Sequence, residues 1–311
     1  MRREAKNLEL HAHGYTAVIL PERGGSCVDL AKGDVHALRT PKSMTDYEGN
    51  PFLYGTPLLF FPNRISGGSF DFEGRRYVLP MNEPATGCFL HGTLHETPFA
   101  VEQKRVDYVR LVYRAQKENL YLTFPHVFTL TLEWTLGEDG LHQRVIFLNE
   151  SPENMPVALA FHTTFRIPFV PGSSPENVQL MLDVSCEYGR DMRTCLPNGY
   201  CWEDFSGKRE MAAGSYIPAH HTISRLFRMG GRREMRLIDR TKGAEISYRA
   251  GETYGYWMVY NGGSKEFLCV EPQSWLSNCP NAPFDRTAHG FVSIVPGEAY
   301  SYETVMSIRK I

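Results

Sequence analysis

The chain has 311 residues, of which 42% are hydrophobic, and a formal net charge of −2. That is enough apolar material for an extended core, while the even scatter of Lys and Arg leaves no basic stripe for a nucleic-acid or anionic-membrane partner. Seven cysteines with no Cys-x-x-Cys pair, and no apolar run behind Met1-Arg2-Arg3-Glu4, exclude a zinc ribbon and predict a reduced, cytoplasmic, soluble protein rather than a disulfide framework.

In chain order, period-two alternation dominates. Phe70 and Phe72, a turn at Glu73-Gly74, then Tyr77 and Leu79 read as a first hairpin. Phe128, Leu130, Leu132, Trp134 and Leu136 fall on one face of a strand; Gly137-Glu138-Asp139-Gly140 turns the chain, and Leu141 to Asn149 returns beside it. Met235-Arg236-Leu237-Ile238 and Glu245-Ile246-Ser247-Tyr248, around Lys242-Gly243, make a third hairpin. Phe291–Val295 and Tyr300–Ile308, joined by Pro296-Gly297, make a fourth.

Helical segments are few and short, and 27 glycines with 20 prolines supply the turns that many short strands need. The pattern predicts an all-β fold, a large antiparallel sandwich. Lys42–Asn50, Pro171–Pro175 and Gln273–Arg286 read as loops leaving one domain, 1–311, because strand pattern resumes on both sides.

Three segments stand out by chemistry. Phe61-Pro62-Asn63-Arg64-Ile65-Ser66-Gly67-Gly68 is followed after a hairpin by Leu90-His91-Gly92; then come Ala160-Phe161-His162-Thr163-Thr164-Phe165 and Leu268-Cys269-Val270-Glu271-Pro272-Gln273-Ser274-Trp275. Each sets an ionisable side chain in or at the end of an apolar strand, where desolvation is costly unless the group has a partner or a task. A lone histidine in such a setting is more often structural. A glutamate behind Phe267-Leu268-Cys269-Val270 is sharper, although a buried ion pair with an arginine would also account for it.

In this order the segments resemble the aldose 1-epimerase (galactose mutarotase) family. The shared features are the pair Asn63-Arg64, the step Leu90-His91-Gly92, His162 ahead of Phe165, and the late Glu271-Pro272-Gln273. The loop Asn149-Glu150-Ser151-Pro152 to Met155-Pro156 and the closing Pro296-Gly297-Glu298 are also similar to the family's. The resemblance spans roughly residues 10 to 308 and implies a galactose mutarotase-like supersandwich.

It further implies a cofactor-free, metal-free enzyme acting on a small sugar. Glu271 would be the general base at the anomeric hydroxyl and His162 the general acid at the ring oxygen. Arg64 and His91, with Asn63 and Gln273 beside them, would hold the sugar. Trp275 and Phe284 are further candidates for a stacking face. Many family members carry an aspartate ahead of an aromatic in the strand before the final third. Ile217 to Phe227 has no carboxylate there, so Asp239, His221 or Ser224 would take that contact.

Three other readings stand beside this one. A glycoside hydrolase would need two facing carboxylates. A non-catalytic sugar-binding module would not need to retain Glu271 and His162 together. A hexose-6-phosphate mutarotase would need cations, with Arg166, Arg225, Arg228, Arg232 and Arg233 as candidates.

Overall fold

Strands Phe128–Gly137 and Gly140–Asn149 show why the chain folds as it does. Phe128, Leu130 and Leu132 are fully buried while the intervening Thr129, Thr131 and Glu133 are partly exposed, so one face of the ribbon must find an apolar partner. Burying each such side chain contributes about 1.5–3 kcal/mol. In the computed structural model, which describes residues 7–283 and 285–311, that partner is a second sheet.

The first large sheet has eight antiparallel strands. Their order across it is Ala100–Lys104, Tyr108–Ala115, Phe128–Gly137, Gly140–Asn149, Ala299–Lys310, Ala244–Ala250, Glu234–Asp239 and Val178–Leu182. The second runs Pro197–Trp202, Val184–Arg190, Ser224–Met229, Tyr256–Tyr260, Phe267–Gln273, Ala160–Phe161 and Leu58–Leu59, with Thr164–Arg166 also paired to Phe267–Gln273. A smaller four-stranded sheet covers Leu8 to His36. The two large sheets pack face to face: Tyr248 of the first lies 6.0 Å, ring to ring, from Trp257 of the second, and 5.7 Å from Phe165. One buried cluster runs from Leu10 to Ile308. The fold is the all-β antiparallel sandwich expected from the alternation.

Three of the four expected hairpins form, with their turns where the glycines sit. The fourth is corrected. Val292–Ile294 pairs with Met155–Val157, whereas Ala299–Lys310 inserts between Gly140–Asn149 and Ala244–Ala250. Pro296-Gly297 is therefore a crossing between sheets. Within the loop Lys42–Asn50, Met44–Gly49 closes one helical turn, capped where the Ser43 hydroxyl accepts from the Asp46 amide at 3.1 Å. The reading of a wholly reduced chain is corrected as well. Cys186 and Cys201 lie on neighbouring strands, Cα atoms 6.0 Å apart, and are joined as a disulfide; the other five cysteines are free thiols. No helix among the described residues is long and apolar enough to cross a membrane.

Candidate active site

The strand Phe267–Gln273 is buried along its whole length. On one side Ala160 pairs with Gln273 and Thr164 with Cys269. Midway between these two pairings stand His162 and Glu271, brought opposite each other by the antiparallel register. His162 Nε2 lies 3.2 Å from Glu271 Oε1. Two residues on, on the same face, Gln273 Nε2 donates to Glu271 Oε2 at 3.1 Å. Glu271 is 2% exposed and His162 8%. Burial pushes the Glu271 carboxyl up, against the opposing pull of the Gln273 amide and of Arg190 and Arg64. Burial pushes the His162 imidazole down. Both shifts have one cause: an unpaired charge in this place is poorly solvated.

Asn63 and His91 close the short ribbon in which Arg64–Ser66 pairs with Cys88–Leu90. His91 N donates to the Asn63 carbonyl at 3.1 Å, and Asn63 N donates to His91 Nδ1 at 3.2 Å. A ring nitrogen that accepts carries no proton, so the hydrogen of neutral His91 sits on Nε2, making that atom a donor. Burial first, then the neighbouring His162 and Arg64, hold His91 well below the usual imidazole range. The rings of His91 and His162 meet edge to face, centroids 5.6 Å apart. The Asn63 side chain donates to Gln273 Oε1 at 3.4 Å and accepts from Ser277 Oγ at 3.1 Å. The three segments singled out in the sequence thus converge on one polar cluster.

The cluster floors a cavity of about 510 Å³ with Asn63, Arg64, His91, His162 and Glu271 in its lining. Phe52 supplies an apolar wall, its ring 5.1 Å from that of His91 and 5.5 Å from that of His162. Arg64 is held by Glu83 in a two-point pair, 2.6 Å at both contacts. Burial alone would raise the Glu83 carboxyl, but the hydrogen bonds from Arg64 and Thr86 hold it below the usual range. No group of three or more His, Cys, Asp or Glu side chains is placed to hold a metal ion among the described residues.

Several sequence expectations need correction. Trp275 is fully buried, stacked 5.1 Å from Phe61, with its indole N–H donated to the Pro62 carbonyl at 3.3 Å. It offers no face to a ligand, and Phe284 lies outside the described residues. Gln273 is also fully buried, so it orients Glu271 and Asn63 instead of lining the cavity. Among the three stand-ins for the family's aspartate, Asp239 is sealed in the first sheet on Ser173 and Thr241, and His221 stacks on Tyr216 at 4.6 Å. Only Ser224 reaches the cavity.

Of the arginines considered for a phosphate, Arg225 is bound to Glu187 at 2.8 and 2.5 Å. Arg166, Arg228, Arg232 and Arg233 are all absent from the cavity lining. The cation that does line it, beside Arg64, is Arg190, which the sequence reading passed over. It ends the strand Val184–Arg190 in an unremarkable context, and only the sheet order brings it round to Ser224. Phe52, in the short helical turn Pro51–Leu53, was missed because nothing in its local sequence marks it as part of a site.

The family model described as aldose 1-epimerase matches residues 6–307. A crystal structure of a galactose mutarotase-like protein from Clostridium acetobutylicum is 31% identical, with a TM-score of 0.94 over 99% of this chain and 96% of that one. The uncharacterized protein YphB of Escherichia coli (strain K12) is 21% identical over 306 residues, 96% of this chain and 97% of its own. Galactose 1-epimerase from Lactobacillus acidophilus NCFM, 16% identical, superposes with a TM-score of 0.75 over 100% of this chain and 97% of that one; at that identity the likeness is one of fold.

Proposed function

The chain belongs to the aldose 1-epimerase family, and from that premise we propose that it interconverts the α and β anomers of an aldose by acid/base opening and closing of the ring. The observation that carries the reading is the 3.2 Å approach of His162 Nε2 to Glu271 Oε1 at the edge of a sugar-sized cavity. Opening a hemiacetal takes one proton from O1 and gives one to O5, and both oxygens are bonded to the same carbon. The acid and the base must therefore be immediate neighbours. A hydrolase instead places two carboxyls about 5–9.5 Å apart across a bond, and the other carboxylate in this cavity, Glu83, is fully engaged by Arg64.

In this reading Glu271 accepts the O1 proton while His162 gives one to O5, and C1–O5 opens to the free aldehyde. Rotation about C1–C2 presents the other face, and the same two groups return the protons in the opposite sense. Only one proton need reside on the pair at either end of the cycle. The Nε2–H of His91 and the Arg64 guanidinium donate to sugar oxygens, and Gln273 fixes the carboxylate's orientation. A positioned acid and base are typically worth ~10²–10⁴-fold each, which suits a reaction that already proceeds unaided in water.

The test is polarimetry of freshly dissolved α-anomers across neutral and charged aldoses. Glu271→Gln and His162→Asn are each expected to lower turnover at least ~10²-fold. The double variant should lose little more than either single one, because the groups act as a unit. Glu271→Gln at wild-type rate would make the pair structural and favour a binding module.

A further inference from the structure

Deepening the proposed function, and resting on it for which end of the sugar is bound where, the geometry points to an anionic aldose as the substrate, its carboxylate or phosphate at the C6 end received by Arg190 on Ser224. Consider the charges that face the cavity. Arg64 is neutralised within the protein by Glu83 at two contacts of 2.6 Å. Glu271 is engaged by His162 and Gln273. Arg190 is different: no carboxylate oxygen among the described residues lies within 4.0 Å of its guanidinium.

Its bonded acceptors are neutral and come from one residue, the Ser224 carbonyl and the Ser224 hydroxyl, the latter at 2.8 Å, and both use Nη2. The hydrogen bonds of Arg190 to the protein leave Nε and Nη1 without an acceptor among the described residues, and Arg190 lines the cavity together with Ser224, Cys195 and Tyr260. The nearby carboxylates are committed elsewhere. Glu187 holds Arg225, and Asp191 accepts from the Arg193 and Thr194 amides and the Thr194 hydroxyl.

An arginine in such a half-buried position is poorly solvated, and burial lowers its pKa. Nε and Nη1 lie on different edges of the guanidinium, so each can give one hydrogen bond to an anion oxygen, while the net charge, unmatched by any carboxylate contact, favours an anion over a neutral group. The position fits the other end of a hexose. Ser224 pairs with Tyr260, and Met258 with Glu271, so Ser224 and Glu271 lie two strands apart and two residues out of register, about 12 Å at ~4.8 Å per strand and ~3.4 Å per residue. A sugar whose C1 is held by Glu271 and His162 thus extends its C5–C6 end towards Arg190. The sequence also lacks a carboxylate from Ile217 to Phe227, the kind of group that would bind neutral hydroxyls and repel an anion.

The experiment measures kcat/KM for mutarotation of three sugars of one stereochemistry: the neutral hexose, its 6-phosphate and its 6-carboxylate (the uronic acid). Calorimetric binding of the same three is followed in parallel. At least one anionic sugar is expected to exceed the neutral one about 10-fold or more, with the preference falling as salt rises. Whichever anion leads, phosphate or carboxylate, identifies the source. Arg190→Gln should collapse the anionic-to-neutral ratio, Arg190→Lys should keep part of it, and Ser224→Ala should lower it less. Equal kcat/KM for neutral and anionic sugars, or an Arg190→Gln ratio unchanged from wild type, overturns the inference while leaving mutarotation intact. If no sugar is turned over but anionic sugars bind through Arg190, the anion site stands and the catalytic reading falls. If no anionic sugar binds at all, the anion site is wrong.

Discussion

Glu271 and His162 meet where water is largely excluded, and the electrostatic consequence follows from counting protons on the pair. With one proton shared between them, the pair is neutral overall in either tautomer. Losing that proton leaves a buried carboxylate alone, and adding a second leaves a buried imidazolium alone. Burial therefore raises the carboxyl and lowers the imidazole, widening the interval in which the pair holds one proton. Ordinary values of about 4.3 and 6.5 would confine activity between them. The rate is expected to follow a bell whose alkaline limb lies above about 6.5, measured as kcat/KM against pH. An alkaline limb at or below that value would mean the pair is solvated and not coupled as described. Glu271 was legible in the sequence because a carboxylate closing an apolar run demands an explanation. Its contact with His162 was not, because the register that sets them opposite depends on pairing across 109 positions of chain, which local pattern does not encode. Arg190 was invisible for a related reason: beside Glu187, Asp191 and Arg193 it reads as one more charge at a strand end, and its neighbours in space come from other strands.

The elements that hold these residues can be tested independently of catalysis. His91 is aimed into the cavity by a tight turn into Gly92, whose φ is +71 and whose added Cβ would sit 2.1 Å from the Phe60 carbonyl oxygen and 2.2 Å from the Tyr121 hydroxyl. Gly87, on the same ribbon, has a similar φ of +69 with nothing within 4 Å. Gly87→Ala should cost about 1 kcal/mol from backbone conformation. Gly92→Ala should cost clearly more, on the order of 2–4 kcal/mol, because backbone must also move. Urea titration of the two variants measures the difference; equal losses would show that the Gly92 approach is not tight. Hairpins with glycine turns were readable at this scale because the turn and both flanking faces are local. The crossing at Pro296-Gly297 looked the same in sequence, since a turn residue fixes the bend and leaves the partner of each strand open. Trp275 misled in a similar way, because an aromatic near polar residues fits a stacking face and a core equally well until its burial is known.

At the scale of the whole chain, the two large sheets share one buried cluster that also takes in the N-terminal strands, from Leu10 to Ile308. We propose on that basis that residues 1–311 are a single unit, as the recurring strand pattern suggested. Scanning calorimetry is expected to give one transition with calorimetric and van't Hoff enthalpies in agreement; two resolved transitions would divide the chain. The sandwich presents an interior strand of its second sheet, with His162 and Glu271 in register, to a cavity that also holds a neutralised and an unneutralised arginine. On the proposed function, such a site moves a proton between two oxygens of one carbon. The most direct measurement is saturation-transfer NMR in D₂O between the α and β anomers of neutral, 6-phosphorylated and 6-carboxylated aldoses, with and without protein. The account predicts anomer exchange well above the buffer rate for at least one of them, with no deuterium entering C1 or C2, because only oxygen-bound protons move. Exchange at the buffer rate for every sugar, or deuterium appearing at carbon, would contradict it.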